Sequence, residues 1–178
     1  MVIEVARFKA LFPSVADHCE PGDLDALIAS MSEQNASAGE VVMREGDVTG
    51  NLFFVVAGEL SATVDGKDSQ VEMGTIKAGD TFCMANLLEP GPATMTVTAN
   101  SDVDLLVLSD KAFRQLEQGH LKMTGNILRM LSNKLIELCR SADRLLFNRS
   151  AGIPDESEHH KHASLMEWAS HIYKKLHG

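Results

Sequence analysis

Cysteine is scarce in this sequence: Cys19, Cys83 and Cys139 are odd in number, widely spaced and without a CxxC pair. That excludes a disulfide framework and a zinc knuckle, and it fits a reducing cytoplasm. Long apolar runs are missing too. No stretch approaches the ~18 residues of a membrane helix, and the start Met1-Val2-Ile3-Glu4-Val5-Ala6-Arg7 has no basic region leading into an apolar one. The expectation is a chain that neither spans a membrane nor is secreted. Positive charge is the third deficit, with 16 Lys and Arg against 25 Asp and Glu and a net charge of −9. Binding to nucleic acid or anionic lipid draws on clustered cations, so neither partner is expected. Catalytic signatures are lacking as well: there is no GxSxG, HExxH, P-loop or dinucleotide fingerprint. Asp65, Asp68 and Glu72 read as solvated hairpin charge, and no enzyme activity is expected.

What is present suits one domain and an appendage: 178 residues, 44% hydrophobic and 23% charged, enough for a real core. Val2, Val5, Phe8 and Leu11/Phe12 are spaced for one helix face, broken at Pro13 and Pro21-Gly22, and a second helix is predicted over Asp23–Met31. From Gly39 to Leu108 the texture turns to short β-type runs at 40–43, 52–57, 60–64, 70–77, 94–99 and 104–108. Turn signals separate them, among them Glu45-Gly46-Asp47, Ala57-Gly58, Ala78-Gly79-Asp80 and the hairpin candidate Asp65-Gly66. Such a series predicts a mainly β fold with flanking helices, an antiparallel sandwich or jelly roll.

After Ser109, a good N-cap, a short helix is expected over Lys111–Gln118, then a long one from about Lys122 to Phe147. Leu131, Leu135, Leu138, Ala142 and Leu145 recur along it at spacings of four and three, the seam of a short coiled coil. A homodimer through this helix is the expectation, with packing on the chain's own barrel as the alternative. Residues 148–159 are polar, contain Pro154 and read as a linker. A last amphipathic helix, about Ala163–Leu176, carries Leu165, Trp168, Ile172 and Leu176 on one face, either as a lid on the roll or as a docking helix for a protein partner. The histidines His159, His160 and His162 read as part of a solvated stretch, so no metal is assigned.

The segment Gly39–Phe147 resembles the cyclic-nucleotide-binding domain family, in particular the bacterial catabolite-activator and fumarate-nitrate regulators. The likeness rests on Gly39-Glu40-Val41-Val42, Arg44-Glu45-Gly46-Asp47, the run from Leu52 to Leu60, Ala78-Gly79-Asp80-Thr81-Phe82, Val97-Thr98-Ala99, Leu105–Leu108 and Lys111–Leu116, in that order and at near-uniform spacing. It implies N-terminal helices (1–38) and an antiparallel β-roll, a jelly roll of the double-stranded β-helix kind, closed by a long dimerisation helix (39–147); the remainder (148–178) is the linker and helix read above. The regulators' helix-turn-helix needs ~50 residues. Beyond Phe147 only 31 follow, so no DNA-binding output domain is expected in this sequence.

In that family the ligand is held by a phosphate-binding cassette, Phe-Gly-Glu, a short helix and loop, then Pro-Arg-Ser/Thr/Ala. The resemblance implies a Gly for close backbone approach, a helix N-terminus facing the cyclic phosphate, a Glu for the ribose hydroxyl and an Arg for the phosphate charge. Here the segment is Phe82-Cys83-Met84-Ala85-Asn86-Leu87-Leu88-Glu89-Pro90-Gly91-Pro92-Ala93-Thr94-Met95-Thr96-Val97, equal in length but with Cys83 for Gly, Met84 for Glu and Ala93 for Arg. Hydrogen bonds to charged groups are worth ~1.5–3 kcal/mol each, so two lost pairs forfeit roughly 3–6 kcal/mol, about a hundredfold to ten-thousandfold in affinity. No Lys or Arg lies between Lys77 and Lys111 to compensate, which leaves Arg140 or Arg144 of the long helix as the nearest candidates.

The sequence therefore points to a regulatory or sensor module that does not bind cyclic AMP or cyclic GMP in the usual way. Phe82, Cys83, Met84, Ala85, Asn86, Ala93, Thr94 and Thr96 are the pocket equivalents, open to an uncharged effector or collapsed onto Met side chains. A receptor with a rebuilt cradle and a protein-interaction scaffold with a vestigial pocket are the alternatives. No cofactor is expected. Haem would need a placed His or Cys in the roll, and no His lies between His18 and His120, so haem is not expected.

Overall fold

The computed structural model describes residues 3–17, 19–66 and 70–150. Three short helices lead, α1 (Val5–Leu11), α2 (Pro13–Ala16) and α3 (Pro21–Ala29). The strands follow as β1 (Ser32–Ala36), β2 (Val41–Met43), β3 (Val48–Thr49), β4 (Asn51–Ala57), β5 (Glu59–Asp65), β6 (Gln70–Lys77) and β7 (Thr81–Phe82). Helix α4 (Met84–Leu88) interrupts them before β8 (Gly91–Pro92), β9 (Thr96–Ala99) and β10 (Val103–Ser109), and α5 (Asp110–Gly119) and α6 (Leu121–Ser150) complete the order.

The strands form antiparallel sheets ordered β1-β10-β4-β7 and β2-β9-β5-β6, with a ribbon of β3 and β8. This is the mainly β roll with flanking helices and a long closing helix that the sequence predicts. Strand β4 shows why it closes. Leu52, Phe53, Phe54, Val55 and Val56 are all buried, because side chains alternate across a strand and both faces of this one are covered. Leu52, Phe54 and Val56 join a helical core with Phe8, Phe12, Leu24, Leu27, Ile127 and Leu131. Phe53 and Val55 face the roll interior with Met43, Leu60, Phe82, Val97 and Leu105. Phe8, Phe12 and Phe54 pack with centroids 5.0–5.7 Å apart, fixing the N-terminal helices to the sheet.

The β4–β5 turn requires glycine at 58: φ is +85°, and a Cβ there would come within 2.3 Å of the Asp102 carbonyl oxygen. Ser109 caps α5 as expected, its Oγ accepting from the Ala112 N–H at 3.1 Å. Several boundaries differ from the sequence-based expectation. Strand β1 is an addition to it, since Ser32-Glu33-Gln34-Asn35 has no apolar residue and its pairing comes from the neighbouring β10. The break expected at Pro13 falls at Phe12, with Pro13 opening the short helix α2, and α6 continues through Ser150, into the segment read as linker. The final helix over 163–176 and the histidines at 159, 160 and 162 lie outside the described residues.

Candidate functional site

The cassette begins where β7 leaves the first sheet. Phe82 stacks on Phe53, centroids 4.6 Å apart and planes 2° from parallel, which anchors the strand just before the chain turns. The turn is made at Cys83. Its φ of +63° and ψ of +32° are left-handed, and among the described residues it is the one non-glycine with positive φ. The backbone conformation that a glycine would supply at this position is thus adopted by a residue bearing a side chain, at a cost of ~1–2 kcal/mol.

That side chain points into the roll. The Cys83 thiol donates to Met43 Sδ of β2 at 3.3 Å, and Cys83 and Met95 pack together against the inner cluster. Burial pushes the Cys83 thiol up to about 12, so at neutral pH it is a protonated hydrophobe. Ala93 closes the other end of the segment. It is 3% exposed, and its backbone is held on both sides, Ala93 N–H to Asp47 O and Gly46 N–H to Ala93 O, each 2.8 Å. Among the described residues Thr124, on α6, is the one buried polar or charged residue, so no buried charge lies beside Ala93.

The eight sequence-predicted residues do not line one cavity. Phe82, Cys83 and Ala93 belong to the roll interior. Met84 instead packs with Leu87 and Leu88 against the helical core, because residues three and four apart on α4 share a face and this face is apolar. It borders a cavity of about 40 Å³ between α2, α3, β4 and α6, with Thr81, Ile127, Leu131 and Lys134 also on its wall. Ala85 is exposed. Asn86 works structurally: its Nδ2 donates to Gly91 O at 2.9 Å and to Thr49 O at 3.4 Å, tying α4 to both strands of the β3–β8 ribbon. Thr96 Oγ1 accepts from the Glu45 N–H at 3.0 Å, and Thr94, half-buried between them in sequence, is engaged in interactions of its own.

Of the dimer-seam residues, Leu131 is 1% exposed in the protomer's own helical core. Leu135 is half-buried and the neighbouring Ile136 exposed. The side chains of Leu138, Ala142 and Leu145, like that of Arg144, lie outside the described set, whereas Arg140 is exposed. Among the described residues no group of three or more His, Cys, Asp or Glu side chains could hold a metal ion, and no helix is long and apolar enough to cross a membrane. Sequence reasoning missed Met43 as the partner of Cys83. The signal was the register of β2, whose Met43 alternates inward.

With this geometry in view, the comparisons are specific. The family described as Cyclic nucleotide-binding domain matches residues 33–120. A CRP-like cAMP-activated global transcriptional regulator of Mycobacterium tuberculosis is 22% identical over 134 residues, covering 75% of this chain and 60% of that protein, so the chain spans three fifths of the regulator's length. A cyclic nucleotide-binding domain from Methylobacillus flagellatus superposes with a TM-score of 0.68 at 21% identity, over 80% of this chain and 84% of that one. The regulatory subunit of a cAMP-independent protein kinase A from Trypanosoma brucei, solved as a triple mutant bound to cAMP, gives a TM-score of 0.60 at 16% identity, over 72% of this chain and 45% of that one.

Proposed function

Residues 33–120 belong to the cyclic nucleotide-binding domain family, and from that premise we propose that this chain is a non-enzymatic regulatory module whose roll does not take cAMP or cGMP in the family's way. One observation carries the reading: where the resemblance calls for an anion cradle, the roll interior holds an uncharged, self-packed cluster. Ala93 is buried in place of the Arg, and the Cys83 thiol meets the Met43 thioether where a glycine would leave room. An anionic phosphate brought there would lose its hydration and find no cation, a desolvation cost of several kcal/mol.

The family's regulatory role fits the rest of the chain. Helix α4 packs on α5 and α6, so a change at the cassette reaches the long helix directly. Signal passage is by movement of α6 against the roll, and α6 beyond Leu131 is the surface for a second copy of the chain, in the cytoplasm. The Trypanosoma relative, called cAMP-independent, supports the idea that this fold can serve regulation without the usual nucleotide.

Isothermal titration of the whole chain with cAMP and with cGMP tests the reading. No saturable heat up to millimolar nucleotide is expected, and a micromolar Kd for either overturns it. The burial of Ala93 and the Cys83–Met43 contact inside the roll favour a second reading, a protein-interaction scaffold with a vestigial pocket. Native mass spectrometry separates this from a sensor of an uncharged effector: a stoichiometric co-purifying small molecule marks the sensor, a bare chain the scaffold.

A further inference from the structure

The joint between α5 and α6 is one residue. His120 caps α5, its N–H donating to Leu116 O at 2.8 Å, and its own carbonyl accepts from the Thr124 N–H at 3.0 Å in the first turn of α6. A two-helix arm joined at one residue can pivot there; the core packing of Met123, Ile127 and Leu131 holds the body of α6, and the contacts of His120 hold its start. The His120 side chain is held from the far end of the sequence: its Nδ1 lies 2.7 Å from Asp23 Oδ1 in the first turn of α3, a half-buried pair. Two residues on, Lys122 Nζ pairs with Glu20 at the N-cap of α3, an exposed contact. Both contacts join the same two ends.

We propose that His120 and Asp23 form a latch that pins the start of α6 to the N-terminal helices and thereby sets the resting direction of the long helix. The inference rests on the reading that α6 carries the signal. Helix α4, which packs on both α5 and α6, can turn the joint only by working against this latch. The half-buried pair carries the restraint, since exposed pairs such as Lys122–Glu20 contribute little and are screened by salt. Asp23 is also suited to its place, a carboxylate in the first turn of a helix.

The test measures one distance within one protomer. Cys139 on α6 is exposed, while Cys19 and Cys83 are half-buried with thiols raised by burial, so a spin label attaches at Cys139 and at an introduced T75C, an exposed position of β6, with unlabelled chain added in excess to suppress distances between protomers. A single narrow distance is expected for the otherwise unaltered chain. His120→Ala and Asp23→Ala should each broaden or shift it by about 5 Å or more, and the double variant should do no more than either alone. An unchanged distribution in folded variants, or effects that simply add, overturns the latch. Should the variants not fold, hydrogen exchange on the unaltered chain decides between a held joint and a free one. The His120 and Thr124 amides should be protected as well as that of Ile127, and exchange tenfold faster at the joint overturns the proposal. None of this involves a nucleotide, so it stands or falls separately from the titration above.

Discussion

The Cys83 thiol and the Met43 thioether meet at 3.3 Å across the inside of the roll, linking the residue that opens α4 to the inward end of β2. The contact places a side chain where the backbone is left-handed, at φ +63°. Two opposing terms therefore act at one residue: local strain of ~1–2 kcal/mol, offset by burial of a small apolar group worth about 1 kcal/mol.

Cys83→Gly removes both terms, so its stability should lie within about 1 kcal/mol of the parent, the relief of strain being offset by lost packing and by greater unfolded-chain entropy. Cys83→Val keeps the bulk but puts a β-branched residue into the same left-handed turn, which should cost about 2 kcal/mol more than the glycine variant. Urea midpoints of the two variants check this. A valine variant as stable as the glycine one would mean that the turn relaxes freely.

The three thiols should separate by reactivity. Burial pushes the Cys83 thiol to about 12, and burial, then the nearby Asp23 carboxylate, pushes Cys19 to about 11, both from an ordinary value of 9.0. Cys139 is exposed. With iodoacetamide at pH 8, Cys139 should be alkylated at least tenfold faster than the other two, and all three at similar rates in denaturant. The sign for stability follows. A thiol whose folded value is raised keeps its proton in the native state while the unfolded chain loses it above about 9, so the contribution is complete below pH 9 and declines as pH rises from 9 through 11 and 12. Urea midpoints between pH 8 and pH 10.5 should fall, and fall less in Cys83→Ala.

How much of this was legible in the sequence depends on what each residue answers to. The apolar β-type runs that became β4 and β10 and the Ser109 cap were readable because the side chains themselves dictate burial and capping. Strand β1 was not, because its backbone pairing with β10 is imposed by the neighbour and its side chains are polar. At the cassette, the sequence located the turn and the loss of charge. It could not tell that Met84 turns to the helical core while Cys83 and Ala93 turn inward, since that division depends on how α4 is rolled against α6. The His120–Asp23 contact spans 97 residues and leaves no local pattern.

Ala93→Arg restores the charge that the resemblance calls for, but it does so in a filled interior. With the Ala93 backbone held at both its N–H and its carbonyl and the residue 3% exposed, the guanidinium is placed among apolar side chains with little access to water. The variant should lose at least about 3 kcal/mol by urea denaturation. A single Ala93→Arg variant of parental stability would show that the interior opens easily and that the cradle is rebuilt, not filled.

Asn86 separates a hydrogen-bonding role from a charge role. Its amide NH2 donates to two carbonyl oxygens, Gly91 O and Thr49 O, and so holds α4 to the ribbon beside Ala93. Asn86→Ala leaves two acceptors without this donor and should cost about 1–2 kcal/mol. Asn86→Asp is nearly the same shape but offers only acceptors, so at neutral pH it sets a carboxylate against two carbonyl dipoles and should cost more than alanine. Below pH 4 the protonated acid can donate once, so the aspartate variant should recover relative to alanine as pH falls. Urea denaturation of both variants at pH 7 and pH 3 reads the crossover. If the aspartate variant matches the parent at pH 7, the two carbonyls do not depend on the amide donor, and α4 is held by its apolar face alone.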